Sequence, residues 1–239
     1  MKTEYNENIS GKRMGFFSSI SLVVITLITF GIAMTAVPKS GPFCTLNCIV
    51  YPYLDSLKFY PGDYYWMYLA IFQLVIWMIF MISLHFISSD EKKIFSFTSI
   101  SFALISSIVL SADYFIQFSV VPVSLMKGET DGIALITQYN DHGIFIALEE
   151  LGYLMMSISF LFMAFVFSRD NLLERSLRWI CLAPFILSIV SLVYFSVKFG
   201  IDRSYRFEIT IISINWLAMV AVSILAGVLL KRQLKKAIT

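Results

Sequence analysis

Residues 209–230 read ITIISINWLAMVAVSILAGVLL, a run without a single Asp, Glu, Lys or Arg. A helix rising about 1.5 Å per residue needs roughly 20 such residues to cross ~30 Å of hydrocarbon. Within hydrocarbon every backbone N–H and C=O must be satisfied inside the protein, so a helix is the form such a run takes. Five further stretches are equally free of charge: 14–38, 64–89, 94–112, 151–168 and 180–197. One of them alone could be a buried helix of a soluble domain. Six, separated by charged punctuation, predict an all-α polytopic membrane protein. The expected architecture is a six-transmembrane-helix bundle forming a single integral membrane domain over 1–239. Its spans lie near 14–37, 64–88, 95–120, 144–168, 177–198 and 209–230.

Composition agrees. Of 239 residues, 58% are hydrophobic and 14% charged, against about 25% charged in soluble domains. The formal net charge of +2 and the absence of a dense basic block exclude nucleic acid as an expected partner; the lipid bilayer is the expected one. The first span could be mistaken for a signal peptide. Its apolar core is too long, and Met34-Thr35-Ala36 is a poor cleavage site, so it reads as a retained helix. The first three spans do not resemble the last three, and no inverted repeat is expected.

Lys and Arg are retained on the cytoplasmic side of membrane proteins. With the N-terminus inside, the 18 Lys and Arg divide twelve inside to six outside. The inside set includes Lys12, Arg13, Lys92, Lys93, Arg169, Arg175 and the Lys231–Lys236 tail; the outside set is Lys39, Lys58, Lys127, Lys198, Arg203 and Arg206. Both termini are therefore expected in the cytoplasm, with the plasma membrane as the expected location. The longer connections, near 39–62 and 127–143, then face outward. This places Cys44 and Cys48 in an outer loop, where an oxidising compartment permits a disulfide. Metal binding or redox chemistry would ask for a second Cys or His pair, which the sequence lacks. Cys181 reads as a small apolar residue. Residues 42–61, rich in Tyr, Leu and Phe, are expected along the interface, and 133–139 is apolar enough to lie on the membrane or dip into it.

Ionisable groups inside a span are expensive unless paired or hydrated, so they are the best functional clue. At 100° per residue, Ser99, Ser106, Asp113 and Gln117 fall within an arc of about 40° on the third span. Ser99, Ala103, Ser107 and Ser111 recur every four residues, the small-xxx-small pattern of close helix packing. That pattern explains the serines but not Asp113 and Gln117, which need specific partners. The fourth span supplies Glu149 and Glu150. These diverge by about 100°, so one can face the interior and the other the interface, with Tyr153 within reach of either. The alternative is that both stay hydrated at a helix N-terminus, where the dipole favours anions. Gln73 lies about 15 Å deep on the second span and Asn215 roughly 9 Å deep on the sixth. Each amide could instead tie two helices together. Pro184 is expected to bend the fifth span, and His85 reads as an interfacial histidine.

Asp113, Gln117, Glu149, Glu150, Tyr153, Asn215 and Gln73 are thus the candidate ligand-binding residues, all in the outer half of the bilayer. The sequence contains no HExxH, GxSxG, P-loop or dinucleotide fingerprint. It carries two histidines far apart. No catalytic residue, metal ligand or cofactor is therefore assigned. Three functions stay open: an outward-facing polar cavity that binds or transports a small molecule, cation or proton; an intramembrane enzyme acting on a lipid or small amphiphile; and a non-catalytic assembly or sensor subunit.

Overall fold

The computed structural model describes residues 2–35 and 39–238. Ala36 and Val37, the last residues of the first expected span, lie outside the described residues. The chain is all helical, and the described residues contain no strand. In order the helices are α1 (Lys2–Thr35), α2 (Tyr65–Phe86), α3 (Lys93–Ser119), α4 (Val121–Met126), α5 (Ile133–Ile136), α6 (Ile144–Ala164), α7 (Leu172–Phe199) and α8 (Ser204–Ile238). Four and five are short pieces of one connection; the other six are long.

Five segments among the described residues are long and apolar enough to span a membrane, and the last runs from Leu172 to Lys236 over 65 residues. That is one fewer than the six runs read from the sequence, and the difference lies in this last segment. A single helix of that length would extend far beyond a bilayer at about 1.5 Å per residue. The chain instead turns at Gly200–Arg203, with Gly200 at φ +58°, and α8 packs back along α7. Ser157 of α6 touches both Ser188 of α7 and Asn215 of α8, which fixes the reversal.

Each long helix packs on its neighbour in the chain, and α1 closes the ring against α8. Helix α6 also reaches across to α8. The α3–α6 seam is the tightest. Ser99 Oγ donates to the Ser159 carbonyl at 2.7 Å and Ser159 Oγ returns a bond to the Ser99 carbonyl at 2.8 Å. A Cβ on Gly152 would stand 2.5 Å from Leu110 Cγ, so only glycine allows this approach. Helix α7 is the most peripheral: Leu177, Cys181, Pro184 and Ser188 make one narrow buried stripe at close to the helical period. The face bearing Leu187, Val190, Val193 and Val197 is exposed, as suits contact with acyl chains.

The two ends of the bundle differ. Gly15 of α1 lies against Leu230 of α8 and Ser83 of α2, so both ends of the chain sit at the end that also carries the short connections 87–92 and 165–171. Lys92 Nζ ties those two connections together by donating to the Val166 carbonyl at 2.9 Å. The opposite end carries the two long loops, built from 3-10 turns at Gly41–Phe43, Leu54–Phe59 and Gly62–Tyr64 and from α4 and α5. Cys44 and Cys48 are joined by a disulfide there. It is at this loop end that the structure opens.

Candidate functional site

A cavity of about 310 Å³ lies at the loop end of the bundle. Phe30, Ala33 and Met34 of α1 form one wall, and Glu208, Ile209, Ile212, Ser213 and Trp216 of α8 face them. Trp66 and Phe145 close the depth, while Lys39, Asp63 and Tyr139 stand at the loop side. The lining is mostly apolar and aromatic, with few polar groups, the usual make-up of a small-molecule site. Met34 and Ile209 line the cavity and are 71% and 38% exposed. The gap between α1 and α8 thus leads sideways to the surface that acyl chains would cover.

The polar groups at the loop side are held. Tyr139 Oη donates to Asp63 Oδ2 at 3.0 Å. Burial, followed by the neighbouring Tyr64 and Asp63, pushes the Tyr139 phenol above the usual tyrosine range, so it remains a donor. Lys39 Nζ lies 4.8 Å over the Phe59 ring.

Behind the cavity wall lies a buried network. Glu149 is fully buried and Glu208 is 6% exposed, and their carboxyl groups face each other within hydrogen-bonding reach. Tyr114 Oη donates to Glu149 Oε1 at 2.8 Å and lies 2.9 Å from Tyr153 Oη. Trp216 Nε1 donates to Tyr153 Oη at 2.9 Å. Asp113, 2% exposed, precedes Tyr114 on α3. Among the described residues no N–H or O–H group meets Asp113 Oδ2, Glu149 Oε2 or Glu208 Oε2. Two carboxyl groups at this distance hold together when a proton or a cation lies between them, because like charges repel strongly in a low-dielectric interior.

The cavity and the network touch at two aromatic residues. Trp66 packs edge-on against Tyr114 at 5.1 Å and against Trp216 at 6.4 Å. Trp216 lines the cavity and hydrogen-bonds Tyr153.

None of the seven residues proposed from sequence forms the cavity wall itself. Glu149 and Tyr153 meet through Tyr114 behind it, linked to it by Glu208 and Trp216, and Asp113 is buried next to Tyr114 in the chain. Glu150 turns away, its Oε2 accepting from Arg203 Nη1 at 3.0 Å, so the two adjacent glutamates do face different surroundings. Gln117 serves the loop. Its Nε2 donates to the Ile136 carbonyl, and its Oε1 accepts from the Gln138 amide at 2.9 Å. Asn215 Nδ2 donates to Ser157 Oγ and the Ile211 carbonyl, both at 2.9 Å, tying α8 to α6. Gln73 Nε2 donates to Met219 Sδ at 3.3 Å, tying α2 to α8.

Glu208, Tyr114 and Trp66 were not among the ligand-binding residues proposed from sequence. One signal for Glu208 was present: it precedes Asn215 by seven residues, two helical turns on the same face. Among the described residues, no three His, Cys, Asp or Glu side chains gather as a metal site would require. No protein-family model, curated protein or solved structure matches the chain.

Proposed function

We propose that this membrane protein binds a small molecule, cation or proton in the cavity at the loop end of the bundle, and that this end faces outward with both termini in the cytoplasm. The twelve-to-six division of Lys and Arg supports the orientation. The observation that carries the binding reading is the buried Glu149–Glu208 carboxyl pair, which has no basic partner among the described residues and stands against an apolar cavity. Arg203 is engaged by Glu150, and Lys39 lies over Phe59 on the far side of the cavity. In this reading Glu208 is the wall residue that meets the ligand. Glu149, Asp113, Tyr114 and Tyr153 set its charge and position from behind.

The test follows tryptophan emission as pH is stepped in folded protein held in nanodiscs. Trp66 and Trp216 report because each touches both cavity and network. Wild type is expected to show a titration step that Glu149→Gln displaces or removes and that Asp113→Asn shifts. An identical profile in all three proteins would mean that these carboxyl groups are not the functional centre.

A second reading is favoured by the sideways opening between α1 and α8. An intramembrane enzyme acting on a lipid or small amphiphile would use such an opening for its substrate, with a carboxyl group as general acid or base. It differs by predicting turnover, that is, a product that accumulates beyond one equivalent of protein.

A further inference from the structure

We infer that the cavity is a receptor site for a lipophilic amine, with the ammonium group against Glu208 and the hydrocarbon part lying toward the opening between α1 and α8. This rests on the binding reading above and adds the chemistry of the ligand.

Three features of the cavity select that class. The first is charge. Glu208 and Asp63 line the cavity against one cation, Lys39, and Glu149 stands behind Glu208 with no cation beside it. Asp63 is already engaged by Tyr139. Glu208 meets no cation and no N–H group among the described residues: it lines the cavity, is 6% exposed, and its carboxyl group neighbours only that of Glu149. A ligand that brings N–H groups and a positive charge meets the Glu208 carboxyl group and offsets the carboxyl pair together. A neutral alcohol supplies the hydrogen bond without the charge. A carboxylate ligand supplies neither and adds repulsion.

The second feature is aromatic. Trp66, Trp216 and Tyr205 line the same space as Glu208, and their ring faces attract cations as well as apolar groups. The third is the way in. Met34 and Ile209 form part of the lining and reach the lipid-facing surface. A hydrocarbon tail can therefore extend from the cavity without being dragged through the polar loops. A ligand with a charged head and an apolar body fits all three; a hydrophilic ion fits only the first.

The experiment is equilibrium dialysis of labelled n-octylamine, n-octanol and octanoate, which share one chain length and differ in the head group. Each is dialysed against the protein in nanodiscs, with matched empty nanodiscs to subtract partition into lipid. Saturable binding is expected, with n-octylamine about tenfold tighter than n-octanol, as one charged contact with aromatic support provides. Octanoate is expected to be the weakest. Glu208→Gln should reduce the amine to the level of the alcohol. If the alcohol or octanoate binds as tightly as the amine to wild type, the amine assignment is overturned while a binding cavity remains. That comparison needs no variant, so a misfolded Glu208→Gln does not remove the test. If none of the three binds saturably, the binding reading itself has failed, which is a separate result.

Discussion

Replacing Gly152 by Ala should disturb the buried network through sterics alone, and the size of the effect follows from the geometry. The added Cβ would stand 2.5 Å from Leu110 Cγ and 2.6 Å from Leu110 Cδ2. Carbon atoms normally rest about 3.5–4.0 Å apart, so one side must move by roughly 1 Å. Leu110 is fully buried and has no free space to enter, so overpacking should cost about 1–3 kcal/mol. Gly152 precedes Tyr153 and follows Glu149 by three residues, so a shift of α6 lengthens the Tyr114 bonds to both. Leu110→Ala alone should lie near the low end of the roughly 2–5 kcal/mol seen for buried leucines. Acyl chains are as apolar as the site it leaves, and only packing is lost. With the Leu110 branch gone, the Gly152→Ala clash disappears. The double variant should therefore be less damaged than the sum of the singles by about 1–3 kcal/mol. Reversible unfolding in mixtures of mild detergent and dodecyl sulfate, followed by circular dichroism, measures all three proteins. If the two costs add to within about 0.5 kcal/mol, the close α3–α6 approach is not what selects glycine.

Gln117→Leu removes both side-chain bonds to the 136–138 backbone, so amide exchange over 133–139 should quicken by the equivalent of about 1–3 kcal/mol; unchanged exchange there would show that the loop holds itself. An impermeant maleimide should label intact cells expressing the wild-type chain at no cysteine before reduction and at Cys44 and Cys48 after it. Cys181 stays silent because it is buried, and labelling only after the membrane is permeabilised would reverse the proposed orientation.

The fold was legible because its main determinant is one-dimensional. Charge-free length is enough to recognise a spanning helix, and serine spacing on α3 was enough to recognise its packing face. Ser99, Ala103 and Ser107 are buried, and Ser111, the fourth of the series, is half-buried. What the sequence could not show was where helices stop relative to where charge stops. Helix α8 begins at Ser204, a full turn before the charge-free run starts at Ile209. Charges at a helix end can still lie within the protein when a loop covers that end. Residues 39–40 and 138–139 do so here, lining the space above Glu208. Gln117 illustrates the complementary limit. Periodicity places its side chain inward correctly, since it is buried. The loop that returns over it to take both of its hydrogen bonds lies about twenty residues away, and no periodic pattern describes an irregular backbone needing partners.

The same reasoning explains why the buried acids divide as they do. Asn215 and Gln73 become ties through their amide donors, Asn215 also accepting from Ser157 while Gln73 Oε1 stays unpartnered among the described residues. A carboxylate is acceptor-only and needs donors that apolar helices do not offer. Glu150 escapes by reaching Arg203 at the margin of the bundle. Glu149 takes one phenol, Tyr114, and leaves its second oxygen facing Glu208, which has no donor for its Oε2. A bundle that needed only mechanical ties could place leucine or asparagine at 149 and 208 without this desolvation cost, which is several kcal/mol for an unpaired buried ion. Of these acids only Glu208 belongs to the cavity lining, with Glu149 behind it. Under the proposed function a ligand in that space meets the pair through Glu208, whereas a shared proton would hold the pair without one, and the amine comparison separates the two.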